Sequence, residues 1–273
     1  MGANGTGLDC LSSCSFDPQA PILVIGAGRS GSTLLVRVMN SHPNISFKGE
    51  TKFLLAQVWS LLWQNPAWCW FESRLASNPR SSEECNADVG KQNLAAEQQR
   101  AGAICARFIA SLIKADPACR FWGFKEIWNG SGSFHIPWEI YDQVFPGATW
   151  VHLIRHPLDF LGSCVGWNCC ESSFSAFQQQ LDEWAAIVRY SQARAATGRY
   201  FEVRYEDLKK SARTALTPLF ERLGIPWDEA CANTLMEKRG DSRRDTFAER
   251  HLFPRLERTP EVMYLAGQYN YSL

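Results

Sequence analysis

The segment Gly26-Ala-Gly-Arg-Ser-Gly31 follows the apolar run Pro21-Ile-Leu-Val-Ile25 and precedes Ser32-Thr-Leu-Leu-Val-Arg-Val-Met39. A short continuous apolar run marks a buried parallel strand, and the residues after the glycines read as a helix. A glycine-rich turn at that junction aims backbone amides and the positive end of the helix dipole at one anion. Three chemistries compete for it. The pattern G-x-G-x-x-G, with Glu50 about twenty residues on, is that of a dinucleotide site, the acid standing where a ribose contact would be. The same residues form the phosphate-loop frame Gly26-x4-Gly31-Ser32-Thr33, with Ser32 where an NTPase carries Lys, which argues against ATP or GTP hydrolysis. The third reading is a nest in which Arg29, Ser30, Ser32 and Thr33 point donors at a single anion.

Downstream, Thr149-Trp-Val-His-Leu-Ile154 reads as a strand with Arg155 at its C-terminal end, and Ser163 stands eight residues later, about two helical turns along. In an open parallel sheet the strand C-termini share one edge, so Arg155 and Ser163 are expected to meet a ligand held by the first loop. Two anion positions at one edge fit a nucleotide with phosphates at both ends of its ribose.

These residues resemble the sulfotransferases that use 3′-phosphoadenosine 5′-phosphosulfate. Gly28-Arg29-Ser30-Gly31-Ser32-Thr33-Leu34-Leu35 is similar to the family's 5′-phosphosulfate loop, Arg155 to Ser163 to its 3′-phosphate motif, and Val203-Arg-Tyr205-Glu-Asp-Leu208 to the strand-end segment whose Tyr lies by the adenine. The resemblance covers roughly residues 21 to 210 and implies a P-loop-NTPase-like sulfotransferase fold. By the same resemblance Glu50, in Gly49-Glu50-Thr51, is the general base of the bacterial and tyrosylprotein branches, and Lys125 stabilises the leaving phosphate together with Arg29. The chain departs from cytosolic members, which carry a Lys in the first loop and a catalytic His after the Lys strand. Glu126 follows Lys125 here and is the reserve base or a substrate contact. Arg239 and Gly240, within Lys238-Arg-Gly240, resemble in swapped order the segment that clamps the 3′-phosphate. The implied cofactor is 3′-phosphoadenosine 5′-phosphosulfate, its product 3′,5′-bisphosphoadenosine, and no metal is required.

Positioning those groups requires alternating strands and helices. Strands are expected at 21–25, 44–48, 120–126, 149–154 and 200–204, with helices at 32–39, 50–63, 91–115, 173–196, 207–223 and 228–238. That alternation predicts an α/β chain of three layers, a central parallel sheet with helices on both faces. Residues 1–20 read as a flexible tail, 21–273 as one domain, and 64–90 as a loop or lid over the substrate.

Composition limits the partners. Lys plus Arg and Asp plus Glu each number 28, a formal net charge of zero, so the chain has no global field for nucleic acid or an anionic membrane. Any anion site must be built locally. The ten cysteines include no C-x-x-C pair, and 273 residues need no disulfide staples, so reduced thiols and a cytoplasmic location are expected. His42, His152 and His156 flank the motifs and are read as packing or capping residues. Tryptophan is abundant, with 11 residues; Trp59 and Trp63 share a helix face just after Glu50 and are candidates for lining an acceptor pocket. Stacking or cation–π contact there favours a small aromatic or cationic acceptor, sulfated on a hydroxyl or an amine. Alternatives are sulfation of a protein tyrosine or a carbohydrate, a nicotinamide- or flavin-dependent oxidoreductase, and a non-catalytic nucleotide-binding module. Oligomeric state is not specified by these features.

Overall fold

Among the described residues, five short strands form the sheet: β1 (Ile22–Ala27), β2 (Ile45–Glu50), β3 (Phe121–Trp128), β4 (Thr149–Ile154) and β5 (Tyr200–Arg204). All pair in parallel, in the spatial order β2-β3-β1-β4-β5. This is a computed structural model, and it describes residues 15–51, 54, 55, 57, 58, 87–113, 115–128, 138–166, 173–236 and 248–273.

The helices are α1 (Ser32–Asn40), α2 (Ala87–Leu112), α3 (Trp138–Val144), α4 (Pro157–Gly166), α5 (Phe174–Gln192), α6 (Tyr205–Lys210), α7 (Ala212–Leu223), α8 (Glu229–Met236) and α9 (Pro260–Gln268). The period of two on β1 sends Leu23, Ile25 and Ala27 to one face and Ile22 and Val24 to the other. The first face packs against α2, α3, α4, α5 and α9, the second against α1, α6, α7 and α8, so the sheet is the middle of three layers. Handedness explains the split. The chain leaves β1 outward to β2, then moves the opposite way through β3, β4 and β5. Right-handed crossovers therefore place α1 on one face and the helices between later strands on the other. The direction reverses beside β1, and ligand crevices form where open sheets reverse, at the strand C-termini.

The expected fold class stands, with local corrections. β3 runs past Glu126 to Trp128, so Lys125 sits inside the strand. The single helix expected at 207–223 is two, because Ser211 is extended (φ −159°, ψ 101°) and its hydroxyl caps α7 by accepting the Thr214 amide at 3.3 Å. Residues 87–90, read as the end of a loop, belong to α2. Residues 15–20 are not a flexible tail. Phe16 is buried in the core, Ser15 donates its amide to the Pro117 carbonyl at 3.1 Å, and Trp122 Nε1 donates to the Asp17 carbonyl at 2.9 Å. The dinucleotide alternative fails on topology. In that fold the second strand lies beside the first, whereas here β3 separates β2 from β1.

Candidate active site

The loop after β1 is shaped by two residues with left-handed backbones, Arg29 (φ 64°) and Gly31 (φ 98°). Arg29 is the costly one, since a side chain at positive φ is strained, and such strain gathers at ligand clamps. Gly31 is required twice over. Its φ disfavours a side chain, and a Cβ there would overlap the Tyr205 ring, which packs directly on the loop. Gly31 also heads α1 without a side-chain cap, so the helix N-terminus is left to an outside acceptor. Gly28 lies in the turn, and Ser30 beneath it is buried with its hydroxyl unpartnered. Leu34 sends its side chain into the α1 layer and gives its amide to the Gly31 carbonyl at 2.8 Å.

Two candidate catalytic groups meet next to this loop. Glu50 ends β2 and pairs in register with Lys125 of β3, after an irregularity between Phe47 and Glu50. Lys125 projects toward α1, where its Nζ donates to Thr33 Oγ1 at 3.3 Å and Ser32 Oγ at 3.5 Å. Burial pushes the Lys125 amine below its ordinary pKa, the Glu50 carboxylate pulls it back up, and the Arg29 charge pushes it down again. A carboxylate, an ammonium and a guanidinium thus share one electrostatic neighbourhood at the sheet edge.

The second candidate anion position is built from β4, α4 and α6. Arg155 is buried, its Nη1 donating to the Arg29 carbonyl at 3.0 Å and its guanidinium lying 4.6 Å from the centre of the Tyr205 ring. Trp184 of α5 donates Nε1 to the Arg155 carbonyl at 3.1 Å and fixes the backbone there. The Arg155 Nε is buried without a partner. It lines, with Ser30 and His152, a cavity of about 10 Å³ behind the loop. Ser163, buried on α4, accepts from Arg29 Nε at 3.4 Å. The next turn of chain is clamped as well: Glu206 accepts the His156 amide at 2.9 Å and the Tyr271 hydroxyl at 2.8 Å.

The structure therefore brings Arg29, Ser30, Gly31, Ser32, Thr33, Glu50, Lys125, Arg155, Ser163 and Tyr205 to one edge of the sheet. Glu126 does not join them. It is buried on the opposite face, accepting hydrogen bonds from Tyr141 Oη at 3.0 Å and from Thr51 Oγ1. Trp59, Trp63, Arg239 and Gly240 lie outside the described residues. The three motif-flanking histidines are structural: His42 bonds the Pro226 carbonyl at 3.0 Å, His156 the Ser272 carbonyl at 3.0 Å, and His152 contacts Tyr200 Oη at 3.0 Å. Burial pushes His152 down to about 3. Trp184, Thr51 and Tyr141 were not singled out from sequence. Only Thr51 carried a local signal, its place directly after Glu50. Among the described residues no cluster of His, Cys, Asp and Glu could hold a metal ion, and no helix is long and apolar enough to cross a membrane.

A parallel three-layer sheet with two joined clusters of cationic and hydroxyl side chains at its C-terminal edge narrows the class, and sequence comparison settles it. The sequence pattern of the sulfotransferase family matches residues 21–229, and the chain belongs to that family. Among curated proteins it is similar to a protein-tyrosine sulfotransferase of Drosophila melanogaster, at 24% identity over 224 residues. That match covers 79% of this chain and 40% of the relative, so the chain spans well under half the relative's length. Among solved structures it is similar to the sulfotransferase domain of the Synechococcus PCC 7002 olefin synthase, with TM-score 0.53, 21% identity, and coverage of 93% and 95% of the two chains. It is likewise similar to a sulfotransferase domain from the curacin biosynthetic pathway, with TM-score 0.53, 16% identity, and coverage of 93% and 98%. At these identities the structural likeness speaks for the fold.

Proposed function

We propose that the protein transfers a sulfuryl group from 3′-phosphoadenosine 5′-phosphosulfate to a hydroxyl or amine of a small-molecule acceptor, without a metal. The observation that carries this reading is Arg29. Its side chain reaches Ser163 and its carbonyl receives Arg155, so two anion motifs 126 residues apart in sequence meet at one residue. The start of α1, which has no side-chain cap and has Lys125 donating to Thr33 in its first turn, fits an anionic nucleotide whose phosphate would accept from the first amides of the helix.

The donor supplies, when bound, a sulfuryl group attached to a good phosphate leaving group. The chain's own residues do the rest. Arg29, Ser32, Thr33 and the uncapped start of α1 would hold the 5′ end, Arg155 and Ser163 the 3′-phosphate, and Tyr205 the adenine. Glu50 takes the acceptor's proton. Its place opposite Lys125 keeps the proton acceptor beside the cation that meets developing negative charge on the leaving oxygen. Lys125 is also able to return a proton, which Arg29 is not, because guanidinium remains charged at every working pH.

A second reading, transfer to a protein tyrosine, is favoured by the Drosophila melanogaster relative. Incubation with the sulfuryl donor and both a metabolite library and tyrosine peptides separates the two, read as a mass gain of one SO3. A thermal-shift panel tests the nucleotide independently: 3′,5′-bisphosphoadenosine stabilises, whereas NAD, NADP and ATP do not. Stabilisation by NAD alone would refute the reading. The scattered cysteines, with no C-x-x-C pair, support a reducing, cytoplasmic compartment.

A further inference from the structure

Glu126 is a carboxylate at 1% exposure in a largely apolar layer, and sulfuryl transfer as described above makes no use of it. Lys125 and Glu126 are consecutive on β3, so the pleat sends them to opposite faces, Lys125 toward α1 and Glu126 toward α3. Glu126 therefore cannot reach an acceptor placed between Glu50 and Lys125. It instead collects hydroxyls from two other elements: Tyr141 of α3 and Thr51, the residue after Glu50. Thr51 is held a second time, its amide donating to the Lys125 carbonyl at 3.4 Å. The carboxylate is thus the common acceptor for the helix beneath the sheet and for the chain leaving Glu50. Burying a charge is costly, and an apolar residue would fill the same space without that cost. Its retention calls for a geometric role.

We propose that Glu126 is a positioning residue: through Thr51 and Tyr141 it fixes the end of β2 against β3, and so holds Glu50 opposite Lys125. This inference rests on the roles given above to Glu50 and Lys125. A misplacement of about 1 Å at a reacting group lowers the rate by about 100-fold, so a modest loosening at Thr51 would be felt in turnover.

The test compares full-length variants in which 3′,5′-bisphosphoadenosine binding first confirms a folded site. Glu126→Gln keeps an oxygen that accepts from both hydroxyls and should retain kcat within about fivefold, while Glu126→Ala should lose about 100-fold in kcat with nucleotide affinity unchanged. If Glu126→Ala does not fold, Thr51→Val removes one of the two donors and should lower kcat about tenfold in the same pattern. Inactivity of Glu126→Gln equal to that of Glu50→Gln would make Glu126 the base and overturn the proposal. Wild-type kcat in folded Glu126→Ala, or in Thr51→Val, would also overturn it. A further readout does not depend on turnover. The pH profile of Lys125 acylation, followed by peptide mass spectrometry, should shift to lower pH in Glu126→Ala and Thr51→Val, because a displaced Glu50 no longer favours the ammonium. An unshifted profile would overturn the positioning role even if the chain proved to transfer no sulfuryl group.

Discussion

The two ends of the proposed nucleotide site are built on opposite plans. At the Arg155 end the guanidinium is buried, stacked on Tyr205, tied to the Arg29 carbonyl, and anchored through its own carbonyl to Trp184. At the Lys125 end the ammonium is half-buried, rests on two hydroxyls at 3.3 and 3.5 Å, and belongs to a residue paired in register with Glu50, just past an irregularity in β2. A fixed positive charge suits a phosphate that does not change during reaction. A proton-carrying cation beside a base suits the bond where charge and protons move. The difference separates binding from turnover, and substitutions can pull the two apart.

The largest contrast is expected from Glu50→Gln, which should lower kcat by about 10³-fold while 3′,5′-bisphosphoadenosine affinity, measured by calorimetry, stays within about threefold. Arg155→Ala should do the reverse. Loss of a charge-assisted contact is expected to weaken nucleotide binding by about 100-fold, with kcat at saturating donor nearly kept. Gly31→Ala attacks the seam between the halves, where a Cβ meets the Tyr205 ring; about tenfold weaker binding is expected, with no change in the pH profile. The alkaline limb of the pH dependence of kcat should come from Lys125. Its amine is pushed down by burial, so the protonated form is present at lower pH and lost as pH rises through that lowered value. The alkaline limb should therefore sit below the ordinary lysine range and vanish in Lys125→Ala.

A separate effect, on stability and not on turnover, is expected near the rigid end. His152, pushed down to about 3 by burial, binds fewer protons in the folded chain than in the unfolded chain between the ordinary value and that one. Stability is then fully present above about pH 6.5 and declines as pH falls toward 3, by at most about 1.4 kcal/mol per pH unit. Urea titrations from pH 7 to 4 should show a shallower decline in His152→Gln than in wild type; equal slopes would remove His152 from the account.

The parallel layering was legible because strand-like runs, above all the apolar β1 closed by glycines, alternate with helical ones, and the candidate nucleotide contacts because Gly28, Arg29 and Arg155 follow strand ends. Other features were written across distance. Phe16 packs only because residues 15–20 fold back on β3, and Ser211 divides α6 from α7 by a backbone kink that the apolar period does not register. Glu126 is the instructive case. Its adjacency to Lys125 in sequence invited a shared role, while the alternation of a strand already places neighbours on opposite faces. What the alternation could not supply was the partner. Tyr141 lies on a seven-residue helix, α3, whose local pattern is too short to read.

The central claim is that Glu50 and Lys125 form the working end of a sulfuryl-transfer site. The most direct measurement is transfer from 3′-phosphoadenosine 5′-phosphosulfate into acceptor pools, by wild type and Glu50→Gln in parallel, scored as a mass gain of one SO3. The account predicts sulfated product from wild type and none above background from the variant, with both binding 3′,5′-bisphosphoadenosine equally. Equal product from the two proteins would contradict it.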